Sequence, residues 1–325
     1  MHIVIPDDYQ NAVRSLDCFR LLADHEVTVF NDTVADVASL MARFHDADAL
    51  VLIRERTRIT PELLGGLPRL KLISQTGKIS SHLDLNDCTA AGVAVAEGVG
   101  SPVAPAEFTW ALIMAARRHL SRAVDDARAG RWQTNIGYVL KGSTLGIWGY
   151  GKIGRMIAAY GKAFGMRVVV WGSEAARAAA CADGYEAAAT RAAFFVESDV
   201  VTLHLRLAAA TRAIVTFDDL RQMKPTALFV NTSRAELVAP GALARALDAG
   251  RPGYAALDVY EDEPITDPDY PLFHRDNVVA TPHLGYVERS GYELYFEAAF
   301  RNVVDFFRGQ PQNIANPSVL TASRP

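Results

Sequence analysis

The chain has 325 residues, a length at which two cores are expected rather than one, and half of its residues are hydrophobic, ample for burial. A formal net charge of −4 offers no basic field for nucleic acid or anionic lipid, and no apolar run reaches membrane-spanning length. Three scattered cysteines, Cys18, Cys88 and Cys181, read as free thiols of a reducing, cytoplasmic compartment, and the chain opens directly into a strand with no signal peptide. The triplets Asn31-Asp32-Thr33 and Asn231-Thr232-Ser233 are then chance rather than glycosylation sites.

From residue 1 to about 100, strands (Ile3–Pro6, Val27–Phe30, Leu50–Ile53, Leu72–Gln75, Val93–Val95) alternate with helical segments over Ala12–Leu22, Val34–Arg43 and Pro61–Leu64. This alternation predicts a small parallel α/β unit of flavodoxin type. Two of its loops carry charge directly after a strand: Arg54-Glu55-Arg56, and Thr76-Gly77-Lys78. Ligands of open parallel sheets lie beyond the carboxyl ends of the strands, so both loops are placed to meet an anion. Ser101-Pro102 and Pro105 then mark a boundary, an apolar-rich helix is expected over Ala106–Ala123, and residues 124–143 are polar and irregular.

At Leu145 an apolar run enters Gly149-Tyr150-Gly151-Lys152-Ile153-Gly154, and Ile153, Ile157, Tyr160 and Phe164 follow at helical spacing. Gly165 ends that helix and Arg167–Trp171 is the next strand. Between a strand and a helix GxGxxG has a mechanical meaning. The first glycine makes a tight turn, the second lets backbone approach a pyrophosphate, and the third packs helix on strand, with the phosphates on the helix N-terminus. Gly146, Gly151 and Lys152 also match a P-loop, but position 153 is Ile, which lacks the hydroxyl that holds magnesium, and the ATPase reading is rejected. Further strands at Val200–Leu205, Ala227–Asn231, Ala255–Val259 and Val278–Thr281, with helices near Leu220–Met223 and Gly241–Asp248, complete a six-stranded doubly wound Rossmann sheet. The aromatic-rich segment Glu288–Arg308 reads as a core-facing helix that returns to the first domain. The expected domains are 1–100 completed by 287–325, and 101–286.

Three blocks carry a resemblance: Asn231-Thr232-Ser233-Arg234, Asp258–Pro264, and Thr281-Pro282-His283-Leu284-Gly285. In that order, downstream of the dinucleotide fingerprint, the chain resembles the D-isomer-specific 2-hydroxyacid dehydrogenases over essentially its whole length. The resemblance implies a catalytic set of Arg234, Glu263 and His283, a nicotinamide cofactor (NAD or NADP), a small 2-oxo or 2-hydroxy acid as substrate, and a homodimer. The chemistry agrees: an imidazole can deliver a proton near neutral pH, a neighbouring carboxylate orients it, and a guanidinium fork suits a carboxylate. The resemblance further implies cofactor contacts from the fingerprint, Thr232 and Asp258, the last toward the nicotinamide carboxamide. It implies a substrate-carboxylate loop at Thr76-Gly77-Lys78-Ile79, where Ile79 replaces the family's second glycine and is expected to change the loop's course or narrow the pocket. Arg54, Arg56 and Lys78 would add positive charge, and substrate would bind in the cleft between the domains.

The acidic residue that usually meets the ribose 2′-hydroxyl falls at Gly172, so a 2′-phosphate is admissible. Ser173, Arg177, or Arg206 in His204-Leu205-Arg206 would receive it, whereas Glu174 argues for NAD. Two rivals stay open at this point: a formate or phosphite dehydrogenase-like enzyme, against which Glu263 counts, and an NAD-sensing interaction protein resembling the C-terminal-binding corepressors.

Overall fold

The structure is a computed structural model and describes residues 1–321. The chain forms two compact units: Met1–Ser101 with the segment that begins at Glu288, and Pro102–Val287. In the first unit β1 (His2–Ile5), β2 (Glu26–Val29), β3 (Ala49–Leu52), β4 (Leu72–Gln75) and β5 (Ala94–Ala96) form a parallel sheet in the order β2-β1-β3-β4-β5. Every residue of β3 and β4 is buried, as central parallel strands covered on both faces must be, and the edge strand β5 is buried as well. Its helices start where the sequence supplies caps: Asp36 accepts from the Ser39 amide, Thr60 from Leu63, and Asp84 from Asn86 and Asp87.

The helix Arg289–Phe307 also belongs to this unit, capped by the Glu288 carboxylate. Phe296 and Phe300 are buried, Phe300 meets Phe19 edge-on at 6.2 Å, and the Ser74 hydroxyl donates to the Ala299 carbonyl at 2.9 Å. Its Glu293 carboxylate accepts from the Asp17 and Cys18 amides. This explains one departure from expectation: Ala12–Leu22 is not an α-helix but two 3₁₀ turns, Val13–Ser15 and Asp17–Leu22, separated by extended Leu16. Orphan amides that an α-helix would bond internally are instead satisfied from a distant helix.

In the second unit β6 (Thr144–Trp148), β7 (Arg167–Trp171), β8 (Glu186–Ala187), β9 (Val200–Leu203), β10 (Leu228–Asn231), β11 (Tyr254–Leu257) and β12 (Val278–Ala280) form a parallel sheet in the order β12-β11-β10-β9-β6-β7-β8. The chain reverses direction across the sheet between β6 and β9, the switch point at which such sheets bind ligands. Strand residues alternate between two cores. Trp148, Val169, Leu203 and Phe229 face one, and Ile147, Val168, Val170 and Val230 face the other.

Two expectations are corrected here. The sheet has seven strands, not six: β8 is a two-residue edge strand in an alanine-rich stretch with little strand propensity, held by pairing to Val169 and Val170 and by burial of Ala188. The helix expected over Ala106–Ala123 runs instead as Val103–Arg117 and Leu120–Arg128, broken at left-handed His119. The Tyr138 amide takes the Arg117 carbonyl at 2.7 Å, and the Tyr138 ring packs against both the Arg117 guanidinium and the His119 imidazole. A carbonyl that would continue the helix is thereby diverted, and part of the stretch read as irregular becomes the second helix.

Candidate active site

Gly149 and Gly154 of the fingerprint are each required for a different reason. Gly149 has φ +104°, and a Cβ there would lie 2.4 Å from the His204 carbonyl oxygen. At Gly154 a Cβ would lie 2.1 Å from the Gly149 carbonyl oxygen, so the helix Lys152–Ala163 approaches its strand only without a side chain. At Gly151 a Cβ would meet nothing within 4 Å, and no side chain caps the helix that follows. Open space therefore stands over the amides of Lys152 and Ile153, as an anion cradle requires. Lys152 is exposed and Ile153 half-buried.

Tyr150 does not present its side chain to that space. Its ring is buried against Tyr185 and beneath the Arg155 guanidinium, and its hydroxyl donates to Asp183 at 2.8 Å, where Arg155 also pairs. Burial and the Asp183 carboxylate push the Tyr150 phenol well above its usual range. Nothing in the sequence marked Asp183, which ends the alanine-rich helix Glu174–Ala182. Replacing Tyr150 with phenylalanine should cost about 1 kcal/mol, the worth of one lost hydrogen bond, read by chemical denaturation.

At the end of β7 the Gly149 amide donates to the Trp171 carbonyl, and Gly172 has φ +151°. Ser173 caps the next helix through the Ala176 amide, exposed Glu174 begins it, and the Arg177 guanidinium lies over the Trp171 ring at 4.8 Å. His204 bonds Thr202 at 3.0 Å, and burial pushes its imidazole down to about 3, so the ring is neutral. Arg206 is exposed on the loop beyond.

The block at 231–234 folds on itself. Asn231 accepts from the Ser233 amide and donates to the Arg234 carbonyl, Ser233 ties back to the Leu203 carbonyl, and the Thr232 hydroxyl meets that of Thr109 at 2.7 Å. Arg234 stands at the head of the short turn Ala235–Leu237, with Nη1 on the Ser233 carbonyl at 2.7 Å.

His283 and Glu263 meet: Nδ1 lies 2.6 Å from Oε2, while Oε1 accepts from the Tyr260 amide at 2.8 Å. His283 adopts φ +53°, a left-handed conformation uncommon for a side-chain-bearing residue. It is held there by buried Asp258, which accepts from the Thr281 hydroxyl (2.7 Å) and from the amides of Leu284 (2.7 Å) and Gly285 (2.8 Å). Burial raises the Asp258 carboxyl above its ordinary value, against these donors and the His283 charge. Both Asp258 oxygens are thus engaged in shaping the His283 turn.

In the first unit, left-handed Arg54 (φ +56°) follows β3 and lies against Gly77, where a Cβ would sit 2.0 Å from Nη1. The amides of Gly77 and Lys78 donate to no acceptor among the described residues. Three residues of the expected carboxylate loop and its surroundings behave differently from expectation. The Ile79 amide donates to Glu97 at 3.1 Å, and its half-buried side chain packs against the unit's core. Lys78 pairs with the same carboxylate at 2.8 Å, so its charge is compensated. The Arg56 guanidinium lies 4.4 Å over the Tyr9 ring and donates to the Asp7 carbonyl at 2.6 Å, which joins two loops. Glu97 was missed by sequence reasoning, although a carboxylate directly after β5 stands on the same strand-end edge as Lys78.

Residues 110–285 match the NAD-binding domain of the D-isomer-specific 2-hydroxyacid dehydrogenases. The chain is 36% identical to a glyoxylate reductase of Aeropyrum pernix over 298 residues, covering 88% of each. Among solved structures it is similar to a phosphoglycerate oxidoreductase of Vibrio cholerae (TM-score 0.93, 56% identity, 95% of this chain and 99% of that one) and to a Ralstonia solanacearum oxidoreductase (TM-score 0.96, 54% identity, 98% of each). The open cradle above Gly151 and the uncapped helix behind it fit a nicotinamide dinucleotide. With a parallel nucleotide-type sheet, this fingerprint and these matches, the chain belongs to the D-isomer-specific 2-hydroxyacid dehydrogenase family.

Proposed function

We propose that the chain reduces a small 2-oxo acid to the D-2-hydroxy acid, with His283 as general acid, Glu263 as its orienting partner and Arg234 polarising the carbonyl. The observation that carries this reading is the 2.6 Å contact between His283 Nδ1 and Glu263. With Nδ1 engaged, Nε2 is the nitrogen that holds and releases the proton. Glu263 is in turn fixed by the Tyr260 amide, so ring and carboxylate are set before substrate arrives. When bound, the nicotinamide supplies the hydride. The amides of Gly77 and Lys78, with the Arg54 guanidinium beside them, receive the substrate carboxylate.

NADPH is accepted as well as NADH in this reading. Gly172 brings no carboxylate to repel a 2′-phosphate, and Arg177, in the helix that follows, is stacked on Trp171. A homodimer is supported by three large apolar side chains, Trp132, Ile136 and Val139, exposed at 80%, 91% and 74%. Among the described residues no helix is long and apolar enough to cross a membrane.

The test is a panel of glyoxylate, hydroxypyruvate and pyruvate against NADH and NADPH, followed by absorbance of the reduced nicotinamide. Turnover above background with at least one acid is expected, and NADPH should support it. No turnover with any acid and either cofactor would overturn the reading.

A further inference from the structure

Arg54 is a large residue in a left-handed conformation, and two hydrogen bonds to its backbone hold it so. Its amide donates to the Thr76 hydroxyl at 3.0 Å, and its carbonyl accepts from Gln75 Nε2 at 2.6 Å. Gln75 Oε1 faces His82 Nε2 at 3.3 Å. Gln75 is fully buried and His82 is 6% exposed. Because the Gln75 amide nitrogen is spent on Arg54, its oxygen must accept, so His82 carries its proton on Nε2. His82 Nδ1 is then a bare lone pair, buried and without a partner among the described residues. Burial pushes the His82 imidazole down, toward the neutral form this arrangement needs.

We infer that Gln75 and His82 are positioning residues of the first unit's anion-binding turn: they latch the Arg54 backbone in the conformation that lays its guanidinium on Gly77. The latch rests on the proposed role of Arg54 toward the substrate carboxylate. It reaches no reacting atom. Its effect appears in acid affinity and not in the chemical step.

Two variants open it. His82→Ala removes the donor to Gln75, and Gln75→Met keeps the volume while removing both polar ends. Initial rates of glyoxylate reduction with NADH should show KM for glyoxylate raised about tenfold in each, with kcat within about twofold, because a misplaced group weakens ground-state and transition-state binding alike. His82→Gln, whose amide still donates, should restore KM. In an Arg54→Ala background, which itself raises KM, either latch variant should add nothing, as residues acting through one another are non-additive. If Arg54→Ala leaves KM unchanged, the carboxylate reading fails and the latch with it. If Arg54→Ala raises KM but His82→Ala and Gln75→Met, both folded by thermal melting, do not, the latch is overturned and the reading stands. A fall in kcat at constant KM, or additivity with Arg54→Ala, also overturns it.

Discussion

Replacing His283 with alanine lowers kcat by about 10²–10⁴-fold, the range for loss of a general acid, while the reduced dinucleotide binds as before. The separation follows from geometry. The cradle is built by Gly149, Gly151 and Gly154 at one end of the β6 turn, whereas His283 sits in the turn after β12 and touches Glu263. Glu263→Gln should fall in the same direction by less, because the amide keeps contact with Nδ1 but surrenders the charge that stabilises an imidazolium. Single-turnover kinetics with glyoxylate, beside fluorescence titration of NADH, separate the two quantities. Undiminished turnover in His283→Ala sinks the assignment.

Substituting alanine for Gly154 has a second large effect, on both stability and cofactor binding. Its methyl group would stand 2.1 Å from the Gly149 carbonyl oxygen, which is backbone and cannot swing aside. The helix must move off its strand, at an overpacking cost of about 1–3 kcal/mol. The turn that carries the phosphate-facing amides moves with it, so KM for the dinucleotide should rise roughly tenfold or more, about 1.4 kcal/mol per tenfold. Denaturant midpoints and NADH titration check the two effects. A variant with wild-type affinity and midpoint would show that the close approach is not required.

What could be read in the sequence follows from how local each signal is. The fingerprint was legible because strand, turn and helix are contiguous and glycine's permissiveness is a property of single positions. Resemblance brought Glu263 and His283 forward together, and they meet at 2.6 Å although twenty residues separate them. Side-chain direction in loops was not legible. Arg56 and Lys78 read as substrate charges, yet one lies on Tyr9 and the other on Glu97, partners from distant segments. Ile79 read as changing the loop's course or narrowing the pocket, and its half-buried side chain packs against the core. The break at His119 was invisible for the same reason, since it needs Tyr138 to claim the Arg117 carbonyl, twenty-one residues away in sequence. Asp258 read as a contact to the nicotinamide, and no local pattern showed that its carboxylate also accepts three hydrogen bonds that shape the His283 turn.

The first unit is assembled from both ends of the sequence, with the second unit inserted between them. On the ribosome, β1 to β5 emerge long before the helix Arg289–Phe307 that covers β4 and caps the Asp17 turn. A nascent chain stopped short of residue 288 would therefore display an apolar sheet face next to a finished nucleotide-binding unit. Truncated products of this chain should bind chaperones and aggregate through their N-terminal hundred residues, even where the inserted unit has already folded.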